Sequence, residues 1–209
     1  MKLLLHCCCA PCTVECAGVF LDEGRRPALF WYNPNIHPFT EYRSRRDALA
    51  GYAQAVDLPL EMIDEYGLRP FLAAVREESG DTPQAAQKAV PDRDGGPENA
   101  AEAGPPGRCA RCYRMRLEKT AVRAAEGGYD AFSTTLLISP YQRHELVAET
   151  AEEEAKKHGV PFLYRDFRSR FRKGQARARE LGLYMQKYCG CIFSEEERYL
   201  PRTPPGAKK

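Results

Sequence analysis

No apolar run in this 209-residue chain approaches the roughly 18 residues that span a bilayer. The start, MKLLLH, sets three leucines behind one lysine and then turns to cysteine, too short an apolar core for a secretory signal. These absences predict a cytoplasmic protein with no membrane partner, in a reducing compartment where thiols stay free. An excess of charge of one sign is nearly missing as well: 31 Lys and Arg stand against 29 Asp and Glu, a formal net charge of +2, so only the distribution of charge can inform. Large apolar residues are almost absent from GDTPQAAQKAVPDRDGGPENAAEAGPPG, residues 80–107. A stretch of Ala, Pro, Gly and charge cannot bury enough surface to offset its ordering entropy, and it reads as a flexible insertion. No glycine interrupts CCCAPC after the first apolar run, so backbone amides there cannot wrap a phosphate as a glycine-rich loop does.

Cysteine is what the chain has in excess. Nine fall in three clusters: Cys7, Cys8, Cys9, Cys12 and Cys16; Cys109 and Cys112; Cys189 and Cys191. A disulfide framework is read from such counts only in a small secreted protein, and core cysteines have no reason to pair at these spacings. Metal or redox chemistry is the leading reading, with Cys16, on an apparent helix, read as core. Four thiols suit tetrahedral zinc or an iron–sulfur cluster equally. At least seven clustered thiols exceed one zinc, and the surplus suggests a cluster plus a second metal or a redox dithiol. CARC (109–112) lies near the first turn of a predicted helix, where the dipole favours thiolate.

Apolar strands are predicted at 2–8, 27–33, 60–66, 129–137 and 160–167, and helices at 10–24, 40–57, 69–78, 109–128, 146–159 and 172–187. The alternation predicts one α/β domain over 1–200, a Rossmann-like parallel sheet flanked by helices, followed by a disordered tail at 201–209. Ligands bind such sheets beyond the carboxyl ends of the strands. HCCCAPC, NPNIHP and STTLLISPYQ all lie at such ends and can converge on a cysteine-rich metal site. His37, Tyr141 and Gln142 are candidate substrate contacts by position, although a histidine in a turn can equally satisfy the turn. Asp166 is a candidate ligand or proton donor. His6 is expected to be packed in the strand end, and His144 and His158 to be exposed on a helix. RDFRSRFRKGQARAR carries Arg165, Arg168, Arg170, Arg172, Lys173, Arg177 and Arg179 interleaved with Phe167 and Phe171. The run is either a solvated face or a surface for phosphates and stacked bases.

HCCCAPC, YNPNIHPFTEY, RCARCYRMRLEKTA, FSTTLLISPYQ and DFRSRFRKGQARARELGLYMQKYCGCIF together resemble the cobalamin-independent epoxyqueuosine reductases of the QueH type. The resemblance spans nearly the whole chain apart from the insertion and tail. It implies a Rossmann-like fold of the HUP group. It also implies an oxidoreductase that reduces epoxyqueuosine to queuosine at the wobble position of tRNA, supplied by an external electron donor. It further implies a [4Fe–4S] cluster and an additional iron beside it. The family's paired cysteines fall on Cys8 and Cys9 and its C-x-x-C on Cys109 and Cys112, which become the implied cluster ligands, with Cys12 a further metal candidate. Its C-G-C falls on Cys189 and Cys191, the implied redox pair. Arg168, Arg170, Arg172 and Lys173 become candidate tRNA contacts, with Asp166 a candidate proton source. Cys7 departs from the pattern as a third consecutive thiol, leaving the ligand register open by one. Two rivals remain. A tRNA thiolation enzyme of the same sheet class is disfavoured by the glycine-free loop. A zinc-stabilised RNA-binding module without catalysis explains CARC and the arginines but leaves Cys8, Cys9 and Cys12 unused.

Overall fold

LLLH, ALFW and AFST are short runs with no polar alternation, the pattern of strands buried on both faces. In a computed structural model, which describes residues 1–79 and 106–200, they form β1 (Leu3–His6), β2 (Ala28–Trp31) and β4 (Ala131–Thr134), every residue buried. β3 (Leu60–Met62) completes a parallel sheet in the order β3-β2-β1-β4. β1 is central, with Leu4 opposite Ala28 on one side and Phe132 on the other. The parallel sheet flanked by helices is the class expected from the sequence, and its order is Rossmann-like. All but the last two residues of the insertion expected at 80–107, and the tail expected at 201–209, lie outside the described residues.

The helices are α1 (Ala10–Asp22), α2 (Phe39–Ala55), α3 (Leu68–Ser79), α4 (Pro106–Glu126), α5 (His144–His158), α6 (Phe171–Glu180) and α7 (Ile192–Tyr199). They pack in two groups, α1 with α2 and α6, and α4 with α3 and α5. Gly174 lets α6 approach α1 closely, since a Cβ there would lie 3.2 Å from Glu15 Cγ.

Two expectations are corrected. The strand expected at 160–167 shrinks to one parallel bridge, Phe162 beside Phe132. Pro161 has no N–H to extend a ladder, and Val160 and Phe167 spend their apolarity in the core instead. The helix expected at 172–187 stops at Glu180, because Gly182 takes φ +64° and closes a Schellman cap. Its bonds run from Leu183 N to Ala178 O (2.9 Å) and from Gly182 N to Arg179 O (3.0 Å). Residues 183–191 are thereby free to turn back across the carboxyl ends of the strands.

Candidate active site

β1 ends at His6, and the next three residues turn into α1. Cys7 continues the ladder through its N–H to Phe30 O (2.8 Å). Its thiol turns into the core and donates to Leu5 O (3.2 Å), and burial pushes its pKa up to about 12. Cys9, with extended backbone, is the N-cap of α1, and its carbonyl accepts from Thr13 N and Oγ1. Pro11, lacking an N–H, suits the first turn. The result sets the sulfurs of Cys8, Cys9 and Cys12 within 4.8 Å of one another, without Cys7. Cys12 and Cys9 hydrogen-bond to Cys8 and hold its pKa well below the usual thiol value, while Cys9 and Cys12 are pushed up. The α1 N-terminus favours that charge. Thr135, just after β4, accepts from Cys8 N (3.1 Å) and donates to its sulfur (3.3 Å). Gln186, on the returning segment, donates to Cys9 Sγ at 2.9 Å.

Cys16 is buried in the core, and the remaining four cysteines form a second group. Cys109 and Cys112 sit at the start of α4. Cys112 packs in one apolar cluster with Cys191, Phe71 and Val75. Burial raises the pKa of Cys109, Cys112 and Cys191, and the Cys189 charge raises each further. Arg116, 2% exposed, joins the two groups. It donates to Cys112 O (3.0 Å) and Sγ (3.1 Å). Burial lowers its pKa, but the charges of Cys112, Cys189 and Cys8 outweigh that and raise it. No carboxylate bonds to it among the described residues, and the sulfur it touches is that of Cys112. Of the implied cluster ligands, Cys8 and Cys9 lie in the trio with Cys12, whereas Cys109 and Cys112 stand outside it.

The C-G-C turn is gripped through its main chain. Arg45, also 2% exposed, is paired with Glu41 at 2.7 Å and donates to Tyr188 O and Cys189 O, both at 2.9 Å. Gly190 has φ +135° and offers its carbonyl to His37 N (2.7 Å). Ser194 accepts from Gly190 N (3.2 Å) and donates to Cys191 O (2.8 Å). His37 thus differs from the expected tRNA contact: it is wholly buried, against Tyr66 and Phe71. Its Nδ1 accepts from Ile192 N (3.3 Å), and burial lowers its pKa to about 4, so the ring is neutral. It shapes the turn rather than the surface.

Gln142 reaches the site: its amide donates to Cys189 Sγ at 3.3 Å and accepts from Tyr113 OH at 2.7 Å. Tyr141 beside it is 68% exposed and stacks edge-on with Phe171 at 5.8 Å, which brings the basic segment to the same mouth. Within that segment Arg168 holds Asp166, Arg170 and Lys173 lie near Glu15, and Arg177 meets Glu180. Arg172 is exposed, with no ion pair among the described residues. Asp166, expected as a ligand or proton donor, is held by Arg168, which bonds both its oxygens and keeps the carboxyl below its usual value. His144, expected to be exposed, is buried with Nε2 on Tyr164 OH (3.0 Å).

Sequence reasoning missed Arg45, Arg116, Thr135 and Gln186. Arg45 and Arg116 read as ordinary charges on surface helices. The one signal was that Arg116, Thr135 and Gln186 lie in stretches already singled out; Arg45, three residues past one, had none.

A relative from Dehalococcoides mccartyi, named epoxyqueuosine reductase QueH, is 36% identical over 204 residues, spanning 97% of this chain and 98% of its own. Proteins of that name from Thermotoga maritima and Haemophilus influenzae are 34% and 31% identical, spanning 94% and 100% of this chain and 91% and 77% of their own. Among solved structures, one described as a predicted subunit of tRNA methyltransferase from Methanocaldococcus jannaschii is similar at a TM-score of 0.49 and 11% identity, covering 85% of this chain and 75% of that one. No helix among the described residues is long and apolar enough to cross a membrane. The family model for epoxyqueuosine reductase QueH matches residues 3–89 and 94–197, and the chain belongs to that family.

Proposed function

We propose that this chain reduces epoxyqueuosine to queuosine at the wobble position of tRNA in the cytoplasm, with a [4Fe–4S] cluster as cofactor. The observation that carries the reading is the gathering of Cys8, Cys9 and Cys12 within 4.8 Å of one another, in a chain that matches the family over nearly its whole length. An all-thiol donor set with three sulfurs within 4.8 Å suits iron–sulfur ligation, and the N–H donor of Gln186 with the hydroxyl of Thr135 supplies the hydrogen bonds such sulfurs take up. Cys8, Cys9, Cys109 and Cys112 would hold the cluster, which leaves Cys12 for an additional iron. When bound, the cluster supplies electrons one at a time.

Converting an epoxide to an alkene and water consumes two electrons and two protons. Cys189 and Cys191 can furnish both: two thiols become one disulfide, releasing two electrons and two protons. An external reductant restores them. Exposed Cys189 faces the mouth, aimed by Gln142, while Cys191 lies behind it. Arg172 and Lys173, with Tyr141 and Phe171, give the mouth cations and rings for an anticodon loop.

Cys191→Ser tests the division of labour. The reading expects iron content and tRNA affinity near those of the parent, with multiple-turnover reduction of epoxyqueuosine lost. Loss of iron together with turnover would make Cys191 a ligand. Retention of both would remove the dithiol from the reaction.

A further inference from the structure

Among the described residues, two groups of side chains bring three metal-donor atoms within 4.8 Å of one another. One is the cysteine trio; the other is Glu118, Glu154 and His158 on the seam between α4 and α5. Glu154 and His158 are four residues apart on α5 and so share one face, while Glu118 comes across from α4. The Glu154 side chain is 1% exposed, yet neither of its oxygens meets a hydrogen-bond donor, and His158 Nε2 is equally unsatisfied. His158 Nε2 and Lys157 Nζ each stand 3.4 Å from Glu154 Oε2, and Arg114 Nη1 is 3.8 Å from Oε1. Buried polar groups normally have their partners, and a buried carboxylate is costly without a close counter-charge.

We propose that Glu118, Glu154 and His158 bind a divalent first-row transition-metal ion that bridges α4 and α5. Two carboxylates and one imidazole suit zinc, manganese or ferrous iron. Two negative charges balance one dication; Lys157 and Arg114 also stand near, but Arg114 is held by Glu153 at 2.8 Å and reaches Glu154 only at 3.8 Å. Lys157 bonds to Glu118, but it is 53% exposed on a flexible stem and can swing away. Glu118 is six residues beyond Cys112, ~9 Å along the same helix. The ion would therefore fix the helix that carries Cys109 and Cys112 against the one that follows Gln142. The inference rests on the seam alone and stands apart from the reductase reading.

Cobalt(II) titrated into anaerobically purified protein tests it, because cobalt on oxygen and nitrogen gives weak visible bands and cobalt on thiolate gives intense near-ultraviolet ones. The parent should take one equivalent with the weak spectrum, and Glu154→Gln and His158→Ala should lose it. Lys157→Met, at an exposed position, should bind severalfold to about tenfold tighter, the scale of removing the ion pairs of one exposed lysine to Glu118 and Glu154. The proposal falls if the parent and Lys157→Met show thiolate bands only, if Lys157→Met binds no tighter, or if His158→Ala keeps the weak bands.

Discussion

Gly190→Ala and Gly18→Ala add the same methyl group and are expected to move stability in opposite directions. At Gly190, φ is +135°, and an added Cβ would lie 3.2 Å from both Arg45 Nη1 and Ile36 Cγ1. Both neighbours are buried, so neither can step aside freely. The backbone strain of a non-glycine residue there costs about 1–3 kcal/mol, and the two tight contacts bring the total to roughly 2–4 kcal/mol. Gly18 lies inside α1 with nothing within 4 Å of an added Cβ, so alanine gains roughly 0.5–1 kcal/mol there. At about 2–4 °C per kcal/mol for a chain of this size, Gly190→Ala should lower Tm by about 4–16 °C and Gly18→Ala raise it by about 1–4 °C. Thermal unfolding under reducing, anaerobic conditions reads both. Displacing Arg45 also frees the carbonyls of Tyr188 and Cys189, so alkylation of Cys191 should quicken in Gly190→Ala alone. A Gly190→Ala variant with the parent's Tm and alkylation rate would refute the close-packing account of the turn.

The basic segment and the buried histidines carry two more predictions. Arg172→Ala should lower the salt slope of tRNA binding by about 1, as one phosphate contact predicts, and Arg168→Ala by less, because Arg168 is committed to Asp166; equal slopes would contradict the assignment. Burial lowers the pKa of His6 and His37 from 6.5 to about 4. The unfolded chain therefore takes up protons first, and the stability held by the neutral rings above pH 6.5 drains away as pH falls toward 4. His37→Gln should flatten that loss in melts between pH 7 and 4.5, and a slope equal to the parent's would count against it.

Legibility followed the kind of residue. Leu3–Leu5 and Ala28–Trp31 announced buried parallel strands because such strands have no wet face. The cysteine clusters announced themselves by spacing. Residues 160–167 misled because apolarity reports burial and not pairing: Val160 and Phe167 are core residues in a segment that makes one bridge. The end of α6 was written in Gly182, which was read through as part of a longer helix. His37, Arg45 and Arg116 were opaque for a different reason. A histidine in a turn and arginines on helices look exposed; His37 and Arg45 are met by residues 188–190 from far along the chain, and nothing local to Arg45 reports a partner at Cys189.

Because Arg45, His37 and Ser194 hold the C-G-C turn by its amides and carbonyls, its shape is written outside its own sulfurs. A serine at either cysteine keeps every one of those bonds. The scaffold and the reactive atoms are therefore separable in heredity as well as in the laboratory: lineages can exchange the sulfurs and leave the loop standing, whereas a change at Arg45 or Gly190 collapses the frame with its thiols still in place.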